Sequence, residues 1–123
     1  MAGHLLDTNS VIYFFNGEKK ISSLIEKAEG DIVISFITKI EMLSFKIDDP
    51  VIKKKIEEFL EEIKIILIDE DIIETTIEYR KKFKLKVPDA IICATAKSLG
   101  LTLVTADKLL SKKLKGVNII SPI

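Results

Sequence analysis

Five short apolar runs, separated by longer amphipathic segments, limit what this chain can fold into more than any other feature. The runs are 3–6 (GHLL), 31–34 (DIVI), 64–68 (KIILI), 101–104 (LTLV) and 117–120 (VNII). They mostly lack polar–apolar alternation, as strands covered on both faces of a parallel sheet do. The intervening segments have helical periodicity: 8–15, 18–29, 36–47, 50–63, 70–83, 88–99 and 106–114. Within 36–47, Ile40, Leu43 and Ile47 fall at helical spacing. Within 50–63, Val51, Ile52, Ile56, Phe59, Leu60 and Ile63 form one stripe opposite Glu and Lys. Gly100 is suited to the position just after a helix. Strand and helix in alternation predict an α/β fold in which a central parallel sheet of four to five strands lies between helices, an α/β/α sandwich. Its 123 residues suit one domain, 1–123, and 47% hydrophobic content is enough for a core.

No apolar run approaches the roughly 18 to 20 residues needed to span a bilayer, and the N-terminus does not have the pattern of a signal peptide. The single cysteine, Cys93, leaves no intrachain disulfide to form, which fits a reducing cytoplasm. Net charge is zero, but it is unevenly distributed. Residues 1–79 hold 17 acids and 9 bases, and residues 80–123 hold 2 acids and 10 bases. Such polarity gives a small domain a field that can orient a polyanion.

Open α/β sheets bind ligands beyond the carboxyl ends of their strands, so polar residues at those ends bear on function. Asp7, in LLDTN, follows the first run, and Asp, Thr or Asn there could equally cap the helix at 8–15. Glu41 lies mid-helix beside Ile40, at the expected edge of the buried stripe, where a carboxylate needs a partner or a cation. Asp89 follows Pro88 in the first turn of a very apolar helix, a place also favoured by the helix dipole. Asp107 follows the fourth run, where it or Thr105 could cap the next helix. If the first and fourth strands are neighbours, Asp7, Glu41, Asp89 and Asp107 converge on one cleft. Four carboxylates there call for a hard cation, Mg²⁺ or Mn²⁺, of the kind that activates water for displacement at phosphorus. His4 is the only histidine, which disfavours zinc.

The motifs LLDTNSVIYF, TKIEML at 38–43, PDAIICATAKSLGLTLVTAD at 88–107 and the final VNIISP resemble, in order and over essentially the whole length, the PIN-domain family of metal-dependent ribonucleases. Among these they are most similar to the VapC-type toxins of toxin–antitoxin pairs. The resemblance implies an endoribonuclease that hydrolyses RNA phosphodiester bonds. Asp7, Glu41, Asp89 and Asp107 would be its catalytic, metal-binding acids. Thr8, Asn9 and Thr105 would orient carboxylates or hold water at the ion. It also implies a homodimer and a small antitoxin partner whose segment covers the cleft. One departure stands out: many relatives carry an Asp-Phe pair after the last acid, whereas here KLLSKKLKG follows Asp107 with no further acid.

Other residues divide between bland and functional readings. The run RKKFKLK at 80–86 is either a solvated face or, through Arg80, Lys84 and Lys86, a set of phosphate contacts beside Asp89. Cys93 fits a small core residue, and His4 has no evident catalytic partner. The charged segment 53–64 suits a surface helix or a docking face. A haloacid-dehalogenase-like phosphatase needs a second Asp where Asn9 stands. A receiver domain needs an acid pair beside Asp7 that is missing, although Asp69 could mimic its acceptor. The rival of a different class is a PIN-like RNA-binding or protein-interaction module without cleavage activity.

Overall fold

The computed structural model describes residues 3–123. Along the chain run β1 (His4–Leu6), α1 (Thr8–Phe15), α2 (Lys19–Lys27), β2 (Ile32–Ser35), α3 (Phe36–Ser44), α4 (Pro50–Glu62), β3 (Lys64–Ile66), α5 (Glu70–Phe83), α6 (Val87–Leu99), β4 (Thr102–Val104), α7 (Lys108–Lys113) and β5 (Ile119–Ile120). All paired strands are parallel, in the order β3-β2-β1-β4-β5. The chain steps outward from β1 to β3, then returns to lay β4 on the other side of β1. The strand order therefore reverses between β1 and β4, where open sheets form a crevice.

Successive strand residues point to opposite faces, and both faces are covered. Leu5, Val33 and Leu103 pack under α5, α6 and α7 with Ile72, Tyr79, Ile92 and Leu110. Leu6, Ile34 and Val104 pack under α1 to α4 with Val11, Ile21, Met42, Ile56 and Leu60. Two buried faces account for the unalternating runs. Helix ends follow local chemistry. Asp49 caps α4 just before Pro50, Asp69 caps α5, and Gly100, at φ 65°, closes α6 in the left-handed region. Among the described residues no helix is long and apolar enough to cross a membrane.

The expected elements all form, and most of them are shorter than expected. Helix α3 stops at Ser44 because Phe45 is extended and the chain must reach the Asp49–Pro50 start of α4. Its buried side is Thr38 and Met42, whereas Ile40 and Leu43 are exposed. Ile47 packs on the core from the loop that follows. On α4 only Ile56 and Leu60 are buried, and Val51 and Ile52 face outward. Strand β3 is an edge strand whose pairing with β2 covers Lys64, Ile65 and Ile66 and ends there, which leaves Leu67 and Ile68 exposed.

Candidate functional site

The carboxyl ends of β1 and β4 are joined twice. Asp7 N–H donates to Val104 O at 3.2 Å, and the fully buried Ser10 hydroxyl donates to the same oxygen at 2.8 Å. This fixes the start of α1 at the crevice. Asp7 is indeed the α1 cap, since its Oδ1 accepts from Ser10 N–H at 2.8 Å. Capping uses one carboxylate oxygen, and Asp7 still lines a recess of about 140 Å³ with Thr8, Asn9, Glu41, Phe45, Asp89 and Ile92. Cap and site are compatible roles for one side chain.

Glu41 reaches the recess from α3. Its Oε1 accepts from the Thr8 hydroxyl at 2.6 Å, and Thr8 Oγ1 lies 3.0 Å from Thr38 Oγ1. With the Thr8 proton given to Glu41, Thr38 must be the donor in the second contact. Thr38 is fully buried, so the relay Thr38–Thr8–Glu41 ties the carboxylate to the core. Glu41 is thus placed by its buried neighbour Met42 and by Thr38 one turn earlier, not by the exposed Ile40.

Asp89 is the third residue of α6, following Val87 and Pro88. Its carboxyl is raised above the ordinary value, first by partial desolvation, then by the charges of Glu41, Asp107 and Asp7, with Lys86 opposing. The same field reaches one turn deeper. Buried Cys93 is pushed up to about 12, mainly by burial and then by Asp89, Asp7 and Asp107. A thiol held protonated in the core is no nucleophile.

Asp107 approaches the same acids from the end of β4. It caps α7 through Leu109 N–H at 2.9 Å and donates its own N–H to Thr105 Oγ1 at 3.1 Å. These bonds turn it into an adjoining recess of about 80 Å³ with Thr105, Lys108, Ser111, Ile119 and Ser121. Asp107 nevertheless acts with the other three acids, since its charge on Asp89 ranks after that of Glu41 and ahead of that of Asp7. β4 ends at Val104, and Asp107 lies three residues beyond it, held at the start of α7 by its own cap.

The basic run is positioned by α5 and α6. Arg80 Nε donates to Leu85 O at 3.2 Å, so part of its guanidinium braces the connection. Lys84 ends α5 in the left-handed conformation at φ 56°, and Lys86 precedes α6 close enough to act on Asp89. Asp69 caps α5 through Ile72 N–H and takes no part in the recess. His4 lies at the far end of β1 from Asp7, and its buried Nδ1 has no hydrogen-bond partner among the described residues.

Sequence reasoning missed Thr38 and Ser10. The available signal was spacing: Thr38 precedes Glu41 by three residues, hence on the same helix face, and Ser10 follows the Asp7 cap by three.

Among the described residues the sole ion pair is Lys64 Nζ to Asp31 Oδ2 at 3.9 Å, both exposed. The recess acids are thus unpaired. No three His, Cys, Asp or Glu side chains among the described residues are arranged to hold an ion directly. Oxygen donors without nitrogen or sulfur suit Mg²⁺ or Mn²⁺, and Mg²⁺ usually keeps several waters while taking one or two carboxylates. On that basis Asp7, Glu41 and Asp89 fit a hydrated hard cation.

The model of the PIN domain matches residues 4–115. No curated protein sequence gives a significant match. Among solved structures, a toxin–antitoxin complex from Klebsiella pneumoniae contains a chain 30% identical, with 98% of each chain covered and a TM-score of 0.83. A DNA-bound VapBC from Salmonella typhimurium has a chain 20% identical over 100% of both, with TM-score 0.85. FitAcB from Neisseria gonorrhoeae has one 22% identical over 97% of both, with TM-score 0.77. The family model, which spans nearly the whole chain, and the shared five-stranded parallel fold together show that this protein belongs to the PIN domain family.

Proposed function

We propose that the protein is a metal-dependent endoribonuclease, the VapC-type toxin of a toxin–antitoxin pair. The observation that carries this reading is the recess at the β1–β4 reversal, where Asp7, Glu41 and Asp89 gather with no cationic side chain paired to them. Burying or crowding like charges without compensation costs stability, which makes such a cluster a functional candidate. Asp7, Glu41, Asp89 and Asp107 would hold Mg²⁺ or Mn²⁺, directly or through retained water. When bound, the ion supplies an activated water and charge neutralisation at phosphorus. Thr8 holds Glu41 in place, and Asn9 and Thr105 offer polar groups at the edges of the two recesses. Lys84, Lys86 and the unbraced part of Arg80 are proposed to contact RNA phosphates, which orients the chain without specifying sequence.

A partner antitoxin is supported by the Klebsiella pneumoniae neighbour, a toxin–antitoxin complex, and by an apolar path leading from the site. Phe45 borders the acid recess and also a second one lined by Leu43, Ile47 and Ile56. A homodimer is supported by a separate apolar face, Leu67 and Ile68 beside β3 with Ile73 and Ile77 one turn apart on α5, all exposed. A reducing cytoplasm fits the one buried, free cysteine.

The experiment is cleavage of RNA by the purified protein with Mg²⁺ or Mn²⁺. Cleavage that disappears in excess chelator supports the reading. Tight RNA binding with no cleavage under any divalent ion would favour a PIN-like binding module instead.

A further inference from the structure

We infer that the outward face of α7 is a phosphate track, which carries one flank of the RNA strand away from the acids on the Asp107 side. This rests on the reading of the protein as one that acts on RNA. Beyond Asp89 the chain holds five lysines, Lys97, Lys108, Lys112, Lys113 and Lys115, and one acid, Asp107. All five lysines are exposed, and none is ion-paired among the described residues. Leu110 and Leu114 are buried in the core and fix the inner side of α7. Lys108 and Lys112, four residues apart, therefore share the face turned to solvent. Lys108 lines the recess that holds Asp107, so this face begins at the acids. It continues past Lys112 to Lys115 at the foot of the helix. There a Cβ on Gly116, at φ 75°, would lie 2.6 Å from Lys97 Nζ. The bare glycine leaves room for the Lys97 ammonium, from the far end of α6, to close the row.

An ordinary solvated face does not explain the row. On α4, Lys53, Lys54 and Lys55 are followed by Glu57, Glu58, Glu61 and Glu62, so the charges offset one another. Residues 108–115 contain no acid, and a row of one sign makes a field that draws in a polyanion. Lys112 and Lys113 do suit the end of α7, but Lys108 stands in its first turn, where a cation opposes the helix dipole. The row is also separate from Lys84 and Lys86. Those precede α6, where Lys86 acts on Asp89, whereas α7 links β4 to β5 at the sheet edge opposite β3. A strand cut at the acids extends from both sides of the broken bond, so each basic group can serve one flank. Lys97 lies eight residues beyond Asp89 on α6, about 12 Å along the helix at 1.5 Å per residue, enough for more than one phosphate. Ammonium groups on phosphates set grip and orientation and leave sequence unread.

The test is the salt dependence of binding to a single-stranded RNA and to a DNA duplex, in chelator so that neither is cut. The proteins are wild type, the double variant Lys112→Ala with Lys115→Ala, and the double variant Lys54→Ala with Lys55→Ala. Both variants lose two charges from exposed lysines, so the α4 pair controls for net charge. On RNA the α7 pair should reduce the slope of log affinity against log salt by about 1.4, two single-strand contacts at about 0.7 each. The α4 pair should leave the slope near that of wild type. RNAs shortened stepwise from one end should lose the difference between wild type and the α7 variant, because they no longer reach the track. Shortening from the other end should keep it. An α7 slope no different from the α4 control, or a difference that survives shortening from either end, overturns the track and leaves the RNA reading standing. A slope change confined to the DNA duplex assigns the face to DNA and overturns the track as well. Failure of the wild type to bind RNA overturns the track and the RNA reading together.

Discussion

Thr8, the first residue of α1, donates its hydroxyl to the Glu41 carboxylate across 33 positions of sequence, at 2.6 Å. The bond joins the helix that follows β1 to the helix that follows β2, and the buried Thr38 hydroxyl stands behind it. A carboxylate on a mid-helix residue is thereby fixed toward the crevice instead of being left to solvent.

Thr8→Val should therefore lower metal-dependent cleavage by about 10- to 100-fold, the range for residues that orient a metal-binding carboxylate. It should also cost about 1–3 kcal/mol of stability, because Thr38 keeps a buried hydroxyl with no acceptor. Thr8→Ser, which retains the donor, should restore most of both. Turnover assays and denaturant unfolding of the three proteins check this.

The Asp89 carboxyl lies above its ordinary value in the folded protein, through desolvation and the charges of Glu41, Asp107 and Asp7. Between the unfolded and the folded value, the folded protein holds a proton that the unfolded chain has released. Metal-free stability therefore declines as pH rises from about 3.8 through the folded value, and then levels off. Asp89→Asn should abolish that decline and make the metal-free protein more stable than wild type at neutral pH. Melting temperatures of both proteins in chelator, from the acid range to neutrality, give the difference directly.

Lys84 is the sole non-glycine residue with positive φ among those described, at 56°. A side chain there carries a steric cost that glycine avoids, in part offset by the greater freedom of glycine in the unfolded chain. Lys84→Gly should raise stability by about 0.5–1 kcal/mol. If the lysine contacts a phosphate, the same change should weaken RNA binding and reduce the salt slope by about 0.7, the value for one contact on a single strand. A stability gain with an unchanged slope would assign Lys84 to the end of α5 alone.

The sheet was legible because its strands are buried on both faces. Leu5 and Leu6, or Leu103 and Val104, serve opposite cores, and such pairs cannot alternate with polar residues. Asp7 and Asp89 were legible because strand ends and helix starts are where chemistry collects in this architecture. The inward side of α3 was misread. Ile40 and Leu43 are exposed while Thr38 and Met42 are buried, and hydrophobicity alone does not reveal that a threonine hydroxyl is needed inside. Asp107 was legible as a cap after the fourth strand, but the choice between it and Thr105 was not, since both take part: Thr105 Oγ1 accepts from Asp107 N–H and Asp107 Oδ1 accepts from Leu109 N–H.

The central claim is that Asp7 belongs to a metal site as well as to a helix cap, and the Asp7→Asn protein tests it most directly. Asparagine caps about as well as aspartate, so the contact with Ser10 N–H survives, and removing one crowded charge relieves repulsion. The measurement is melting temperature with and without Mn²⁺, alongside RNA cleavage. In chelator the mutant should match or exceed wild type. With Mn²⁺ at about 100 times its Kd, wild type should gain about 2.7 kcal/mol and the mutant much less, while cleavage by the folded mutant falls steeply. A mutant that keeps both the Mn²⁺-dependent gain and the cleavage would show that Asp7 is a cap and nothing more.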